Sequence, residues 1–383
     1  MDLPSYFADF LREIRLTQSQ TDDCKTGHRV LRERLQQDEH LAPVIVSTFL
    51  QGSYRRATAV RPYEDKRADV DVIVVTKLSQ SEYPDPEKAI QTFVPFVQKH
   101  YKDKYEIQGR SIGIHLSYVD LDLVITSAPS ESEFGVFKSE SVMTEDTLEE
   151  ARDWRLVKSW LALNNRVAES AKALLEASRK EPEWKLAPLY IPDREAKCWE
   201  PTHPLEQIRW TRDKSERCNG HYVSVVKAIK WWRRVKHPTP KYPKGYPIEH
   251  LVGDCCSDGI TSIAAGVTLT LEAIVRQYES YAMRKQTPFL PDRGVPQHNV
   301  FRRVSGEDFA AFHSQVRDAA KIARMALDTD DLQTSVAGWK KLFGDKFPDA
   351  PPSEDDNGSG DDPKKGGYTP RRERSEIGGG RFA

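Results

Sequence analysis

The chain has 383 residues, 38% of them hydrophobic and 30% charged, with a formal net charge of −1. It has room for about two to three domains, no apolar run of the ~18 residues that a membrane helix needs, and no signal-peptide pattern behind Met1; a cytoplasmic, non-membrane protein is expected. The near-neutral charge argues against an obligate long nucleic-acid partner, which asks for a basic footprint, and five cysteines suit a reducing compartment better than a disulfide scaffold.

Residues 5–16 place Phe7, Phe10, Leu11 and Ile14 at helical spacing, and a second helical pattern covers 21–37. Residues 42–50 read as a strand feeding a Gly52-Ser53 turn, and the β-branched run 70–75 continues an alternating strand that starts at Asp69. A helix is expected over 89–100, edge strands over 105–108 and 112–118, and another alternating strand over 119–126. Residues 140–180 look helical and charged, and 186–191 read as a strand that ends at Pro192-Asp193. Helical periodicity then takes over at 222–235, 248–252, 261–284, 306–327 and 332–343, with Pro-rich joints at 238–247 and 288–296. After Pro348 too few apolar residues remain to offset the entropy of ordering, so a flexible tail is expected. The expected fold class is α+β: a mixed sheet with helices on one side over 1–200, a helical lobe over 201–348 and the tail over 349–383.

The chemistry concentrates in one place. Gly52 lets the backbone approach a phosphate closely, Ser53 adds a hydroxyl donor, and Gln51, Arg55 and Thr58 are further candidate phosphate contacts. Asp69 and Asp71 share one strand face, where two unpaired carboxylates repel each other unless a divalent cation joins them. A third carboxylate on a neighbouring strand completes a two-metal nucleotidyl-transfer site. Asp120 and Asp122 are the candidates, and Asp122 is favoured because Leu123, Val124 and Ile125 bury the strand beyond it. The bland alternatives are strand-end acids, and solvated positions for Arg55 and Arg56. Lys230, in the Lys230-Trp231-Trp232-Arg233 segment, is expected to reach a triphosphate, or else to snorkel from a core helix. Tyr246 is expected to stack on a base, or to be an interfacial core residue. Cys198, His203, Cys218 and His221, or His250 with Cys255 and Cys256, lack the tight pairs of a structural zinc site, so buried thiols are expected.

These residues resemble the DNA polymerase β-like nucleotidyltransferase superfamily, through the Gly52-Ser53 turn, the Asp69-x-Asp71 strand, the later carboxylate and the Lys230-x-Trp232 helix. More closely, the chain is similar to the bacterial CD-NTases, the cGAS/DncV-like nucleotidyltransferases of anti-phage CBASS systems, with Ile191-Pro192-Asp193 and the segment from Trp339 to Pro348 in support. The resemblance covers residues 1–348 and implies a nucleotidyltransferase lobe, an all-helical OAS-like second lobe and an N-terminal helix along the back of both. It implies two Mg²⁺ ions, with Mn²⁺ as a substitute, and a cyclic di- or trinucleotide made from NTPs, ATP among them, that activates a downstream effector. Gly245 stands before Tyr246 where many relatives have serine, so the hydroxyl contact to the triphosphate that the resemblance implies has no side chain here, and the backbone amide is the candidate substitute. The tail's closing glycines imply a ubiquitin-transfer-like partner that conjugates the Ala383 carboxylate to a target. Two other functions compete: a polymerase β-like transferase that extends RNA or adenylylates a small acceptor, and an inactive nucleotide-sensing scaffold.

Overall fold

Helix α1 (Pro4–Ile14) turns its Phe7, Phe10, Leu11 and Ile14 stripe into the core, as the periodicity predicts. Helix α2 (Gln18–Gln37) starts earlier than residue 21, because Thr17 and Gln20 form a reciprocal cap: the Gln20 N–H donates to Thr17 Oγ1 at 3.1 Å and the Thr17 N–H to Gln20 Oε1 at 3.0 Å. The first strand, β1 (Ile45–Gln51), starts later than residue 42, since the Ala42 and Ile45 N–H groups donate backward to Asp38 and Leu41 in a turn. The computed structural model describes residues 1–62, 66–128, 188–236 and 243–352. The helical stretch expected over 140–180 and the tail from 353 lie outside them. Residues Met1–Asp349 cluster as one unit. Among the described residues, no helix is long and apolar enough to cross a membrane.

A one-turn helix, α3 (Gly52–Arg55), leads from β1 toward β2 (Ala68–Thr76), which pairs antiparallel with β1. Two short helices follow, α4 (Pro86–Gln91) and α5 (Val94–His100), in place of the single helix expected over 89–100. Pro95 has no N–H with which to continue the first helix. The strands β3 (Tyr105–Ile107), β4 (Ile112–His115), β5 (Val119–Ser127), β6 (Leu189–Asp193) and β7 (Cys198–Thr202) complete the sheet. The strand order is β1-β2-β5-β4-β3, with β6 on the end of β5 and β7 on β6. The β2–β5 pair is parallel and the other pairs are antiparallel. β4 is therefore internal rather than an edge strand. β6 runs through Pro192 to Asp193, which is tolerated because its pairing with β5 ends at Tyr190.

The two sheet faces are covered differently. Val70, Val72, Val74, Leu121, Leu123 and Ile125 form one core with Leu31 and Leu35 of α2 and with Ile90, Phe93 and Val97 from the α4–α5 region. Ile73, Val75 and Val124 point the other way and pack with Val46, Phe49, Leu189 and Ile191. Asp69, Asp71 and Asp122 share the parity of this second face, beyond its apolar part.

Among the described residues the further α-helices are α6 (Pro204–Arg217), α7 (Tyr222–Lys236), α8 (Gly245–Cys255), α9 (Ile263–Met283), α10 (Gly306–Asp328) and α11 (Leu332–Phe343). Sequence periodicity missed β7 and α6, although His203 and Pro204 mark a helix start: the Glu206 N–H donates to His203 Nδ1 at 3.3 Å. Residues 245–247 are helix rather than joint, because a proline is tolerated in a first turn. α1 packs on these late helices, with Phe10 stacked on Phe343 at 4.4 Å and Phe7 edge-on to Trp339 at 5.0 Å between ring centroids. Trp339 is fully buried. Trp339→Ala is expected to cost about 3–5 kcal/mol by opening that cluster, read as a lower thermal midpoint with the far-ultraviolet dichroism kept at low temperature.

Candidate active site

Register brings the carboxylates together. In the parallel β2–β5 pair, Asp69 stands opposite Asp120 and Asp71 opposite Asp122, while Gln51 of β1 faces Asp71 from the other side. Carboxylate oxygens of Asp69, Asp71 and Asp122 all lie within 4.8 Å of one another. Asp120 is engaged elsewhere: Arg67 Nε donates to its Oδ1 at 3.0 Å, and His115 Nδ1 lies 2.9 Å from the same oxygen. Burial raises the pKa values of Asp69, Asp71 and Asp122, and the neighbouring carboxylates push each of them further. Asp69 keeps solvent access at the rim, so crowding by its neighbours is the firmer cause there. Three oxygen-bearing groups that repel one another in this way fit a hard divalent cation.

The Gly52 turn is built against this cluster. Gly52 has φ +78°, and a Cβ there would lie 1.7 Å from Asp71 Oδ2. Only glycine permits both that backbone conformation and that approach. Ser53, Arg56 and Asp71 line a cavity of about 380 Å³ that opens between the sheet and α6, α7 and α8, with Gln51, Gly52, Gln207, Lys230, Gly245, Tyr246, Glu249 and Asp292 also in its wall.

Several expected contacts sit differently. Arg55 and Arg56 are both buried rather than solvated, and it is Arg56, not Arg55, that lines the cavity. Successive residues of a helical turn point about 100° apart, so only one of two adjacent arginines can face a given wall. Thr58 is also buried away from the cavity wall; its hydroxyl donates to the Ser53 carbonyl at 3.4 Å and its own carbonyl accepts from Lys230 Nζ at 3.1 Å. Lys230 Nζ also donates to Glu249 Oε1 at 2.5 Å, and Arg56 Nε donates to Glu249 Oε2 at 3.1 Å. Burial pushes the Glu249 carboxyl up, but the two cations outweigh it and hold its pKa down to about 2. Burial pulls Lys230 down, and Glu249 offsets only part of that.

Tyr246 donates its hydroxyl to Asp292 Oδ2 at 2.6 Å, and its ring stands edge-on to His250 at 4.6 Å. Asp292 also accepts from Gln207 Nε2 at 3.3 Å, and Gln51 Nε2 donates to Gln207 Oε1 at 3.0 Å. A polar chain thus crosses from β1 to α8. Sequence reasoning missed Glu249, Gln207 and Asp292. The first was within reach, because Glu249 follows Tyr246 by three residues and so shares its helix face. Gly245 leaves room for Lys230, since a Cβ there would lie 3.3 Å from Lys230 Cε.

The cysteine–histidine groups do not assemble. Cys198 is exposed rather than buried, His203 caps α6, and Cys218 Sγ faces Cys256 Sγ at 4.0 Å. Among the described residues, the acidic cluster is the grouping of three or more such side chains close enough to share an ion.

A mixed sheet with its carboxylates at the start of the parallel pair, closed over by helices that bring in cations, is the architecture of a polymerase β-like nucleotidyltransferase. Residues 1–134 match the Second Messenger Oligonucleotide or Dinucleotide Synthetase domain. Over 372 residues the chain is 47% identical to the cyclic AMP-AMP-GMP synthase of Enterobacter hormaechei subsp. hoffmannii (strain UCI 50), covering 95% of this chain and 97% of that one. It is 45% identical to a probable cyclic AMP-AMP-GMP nucleotide synthase of Salmonella paratyphi B, over the full length of both. Its fold is similar to that of Vibrio cholerae DncV cyclic AMP-GMP synthase in complex with a linear intermediate, 5′ pppA(3′,5′)pG, with TM-score 0.59 and 13% identity over 90% of this chain and 96% of that one. The chain belongs to the CD-NTase family, the cGAS/DncV-like nucleotidyltransferases.

Proposed function

We propose that this protein is a cyclic oligonucleotide synthase of an anti-phage CBASS system that joins ATP and GTP into a cyclic AMP-AMP-GMP trinucleotide. The observation that carries the reading is the meeting of Asp69, Asp71 and Asp122 within 4.8 Å, with Asp71 in the wall of a cavity that Arg56 and Lys230 also line. The full-length likeness to the Enterobacter and Salmonella enzymes supports the choice of product. Two Mg²⁺ ions held by the three carboxylates, with Mn²⁺ as a substitute, would supply Lewis acidity at the attacking and leaving oxygens.

The chain's own groups account for the rest. The Gly52-Ser53 turn takes the outer phosphates, with the Ser53 hydroxyl as donor. Lys230 balances their charge, and Tyr246 shapes the wall beside the base. Asp122, raised by burial, is the carboxylate for the proton of the attacking ribose hydroxyl. That oxygen bonds to the α-phosphorus of the next nucleotide, the bond to pyrophosphate breaks, and a last transfer closes the ring. The site asks for no long nucleic acid, and the enzyme works in the cytoplasm, reaching its effector through the released product.

The test is incubation with the four labelled NTPs, Mg²⁺ and no primer. A phosphatase-resistant product with the mass of a cyclic trinucleotide of two adenylates and one guanylate is expected. Product formed only when RNA or a small acceptor is added would overturn the reading.

The C-terminal residues carry a separate part of the proposal: a ubiquitin-transfer-like partner threads the glycine-rich end into its cleft, activates the Ala383 carboxylate with ATP, and joins it to an amine of a target with release of AMP and pyrophosphate. Deleting Phe382 and Ala383 is expected to leave product formation unchanged and to abolish the shifted conjugate band seen with the partner present. A persisting conjugate would exclude Ala383 as the point of attachment.

A further inference from the structure

Two cationic donors are left over in the cavity once the ion pairs are drawn. Arg56 is 4% exposed and spends Nε on Glu249, while its Nη1 is buried with no hydrogen-bond partner. Lys230 spends one proton on the Thr58 carbonyl and one on Glu249. An ammonium has three donors, so one remains. Both side chains line the cavity together with Ser53 and Asp71.

We propose that Arg56 is a second cationic contact for the phosphate chain of the bound nucleotide, and that Glu249 is the positioning residue that aims Arg56 and Lys230 at it. The inference rests on the nucleotide reading of the cavity given above. Three separate elements meet here: the α3 turn brings Arg56, α7 brings Lys230 and α8 brings Glu249. Within this trio one carboxylate stands between two cations and leaves a single positive charge in excess, which suits an anion, while Asp71 in the same wall belongs to the proposed ion site. A purely structural ion pair would consume the guanidinium's donors, whereas this one leaves Nη1 buried and unsatisfied in a side chain that lines the cavity. The guanidinium also lies over the Tyr246 ring, 5.3 Å from its centroid. That contact and the Glu249 bond hold its plane, so little side-chain freedom is lost when a phosphate oxygen docks. Glu249 is itself anchored: Tyr222 donates its hydroxyl to the Glu249 carbonyl at 3.1 Å.

The test compares α,β-methylene ATP with AMP by titration calorimetry in Mg²⁺, alongside the kinetics of product formation from ATP and GTP. The wild type is expected to prefer the triphosphate. Arg56→Gln is expected to weaken the triphosphate analogue by roughly 10- to 100-fold, the usual range for a charge-assisted hydrogen bond, and to leave AMP within about twofold. Its KM should rise more than its kcat falls. Glu249→Gln should reproduce the KM effect at about tenfold, and Glu249→Asp should recover part of it, which loss of stability alone would not do. An Arg56→Gln protein that keeps the wild-type preference for triphosphate over AMP would overturn the proposal. So would a folded Glu249→Gln protein with a lowered thermal midpoint but unchanged KM. If Glu249→Gln does not fold, the Arg56→Gln preference decides alone. A wild type with no preference for triphosphate would overturn the phosphate reading of the cavity itself, a result distinct from failure of Arg56.

Discussion

Asp71→Asn is expected to stop nucleotidyl transfer while making the metal-free protein more heat-stable. Asp71 is the middle member of the acidic cluster, opposite Asp122 on β5 and Gln51 on β1. Losing one ligand to the ions removes several kcal/mol of transition-state stabilisation, which at ~1.36 kcal/mol per tenfold is a loss of roughly a thousandfold or more. Asparagine keeps the shape and removes the repulsion that burial and Asp122 impose on the carboxylate. The sign follows from linkage. Asp71 has its pKa raised in the folded protein, so the fold holds that proton more tightly than the unfolded chain does. Its stability contribution is full below the unfolded value of about 3.9 and is lost as pH rises through the higher folded value. Without metal, wild-type stability should therefore decline from about pH 4 toward neutrality, and Asp71→Asn should decline less. Differential scanning fluorimetry across pH, with and without Mg²⁺, reads all of this. Mg²⁺ should raise the wild-type midpoint, since a ligand bound only by the native state stabilises it, and should raise that of Asp71→Asn far less. A variant with a lower metal-free midpoint and the same Mg²⁺ response would remove Asp71 from the ion site.

Gly52→Ala has the second large effect expected, and its reason is geometric. The position has φ +78°, which costs a non-glycine residue about 1–2 kcal/mol. The added Cβ would also lie 1.7 Å from Asp71 Oδ2, so the turn or the carboxylate must move. A displacement near 1 Å at such a site can cost about a hundredfold in rate. Gly220 supplies a matched control: its φ is +79°, yet a Cβ there meets nothing within 4 Å. Gly220→Ala should cost only the backbone term, about 1–2 kcal/mol, and keep full activity. If both alanine variants lose stability equally and both stay active, close approach to Asp71 is not why glycine stands at position 52.

The residues of the candidate site were legible in unequal measure, and the cause is the range of the interaction that places each. The two acids on β2 and the turn before it are local: strand parity and the glycine's conformational freedom act within a few residues. Glu249 was hidden in plain view, since helical spacing from Tyr246 puts it on the same face, but only the cations beside it reveal what it does. Arg55 and Arg56 illustrate the limit, because one helical step separates a cavity wall from a buried interior. The break at Pro95 and the early start at Thr17 were local signals left unread. β7 escaped because Glu200 and Pro201 mask any alternation there.

The chain by itself determined its strand and helix periods, the acid pair on β2, the Gly52-Ser53 turn and the aromatic stripe of α1, since each is set by neighbours in sequence. Tertiary structure decided which acid joins Asp69 and Asp71. Parity puts Asp120 and Asp122 on one face, but depth along the sheet comes from the β2–β5 register, and Arg67 and His115 occupy Asp120. It also decided that Arg56, Lys230 and Glu249 meet, because residues nearly 200 positions apart are joined only by folding the helices over the sheet. Periodicity along one strand or helix carries no information about a partner that distant, and a buried charge is stable only where such a partner stands.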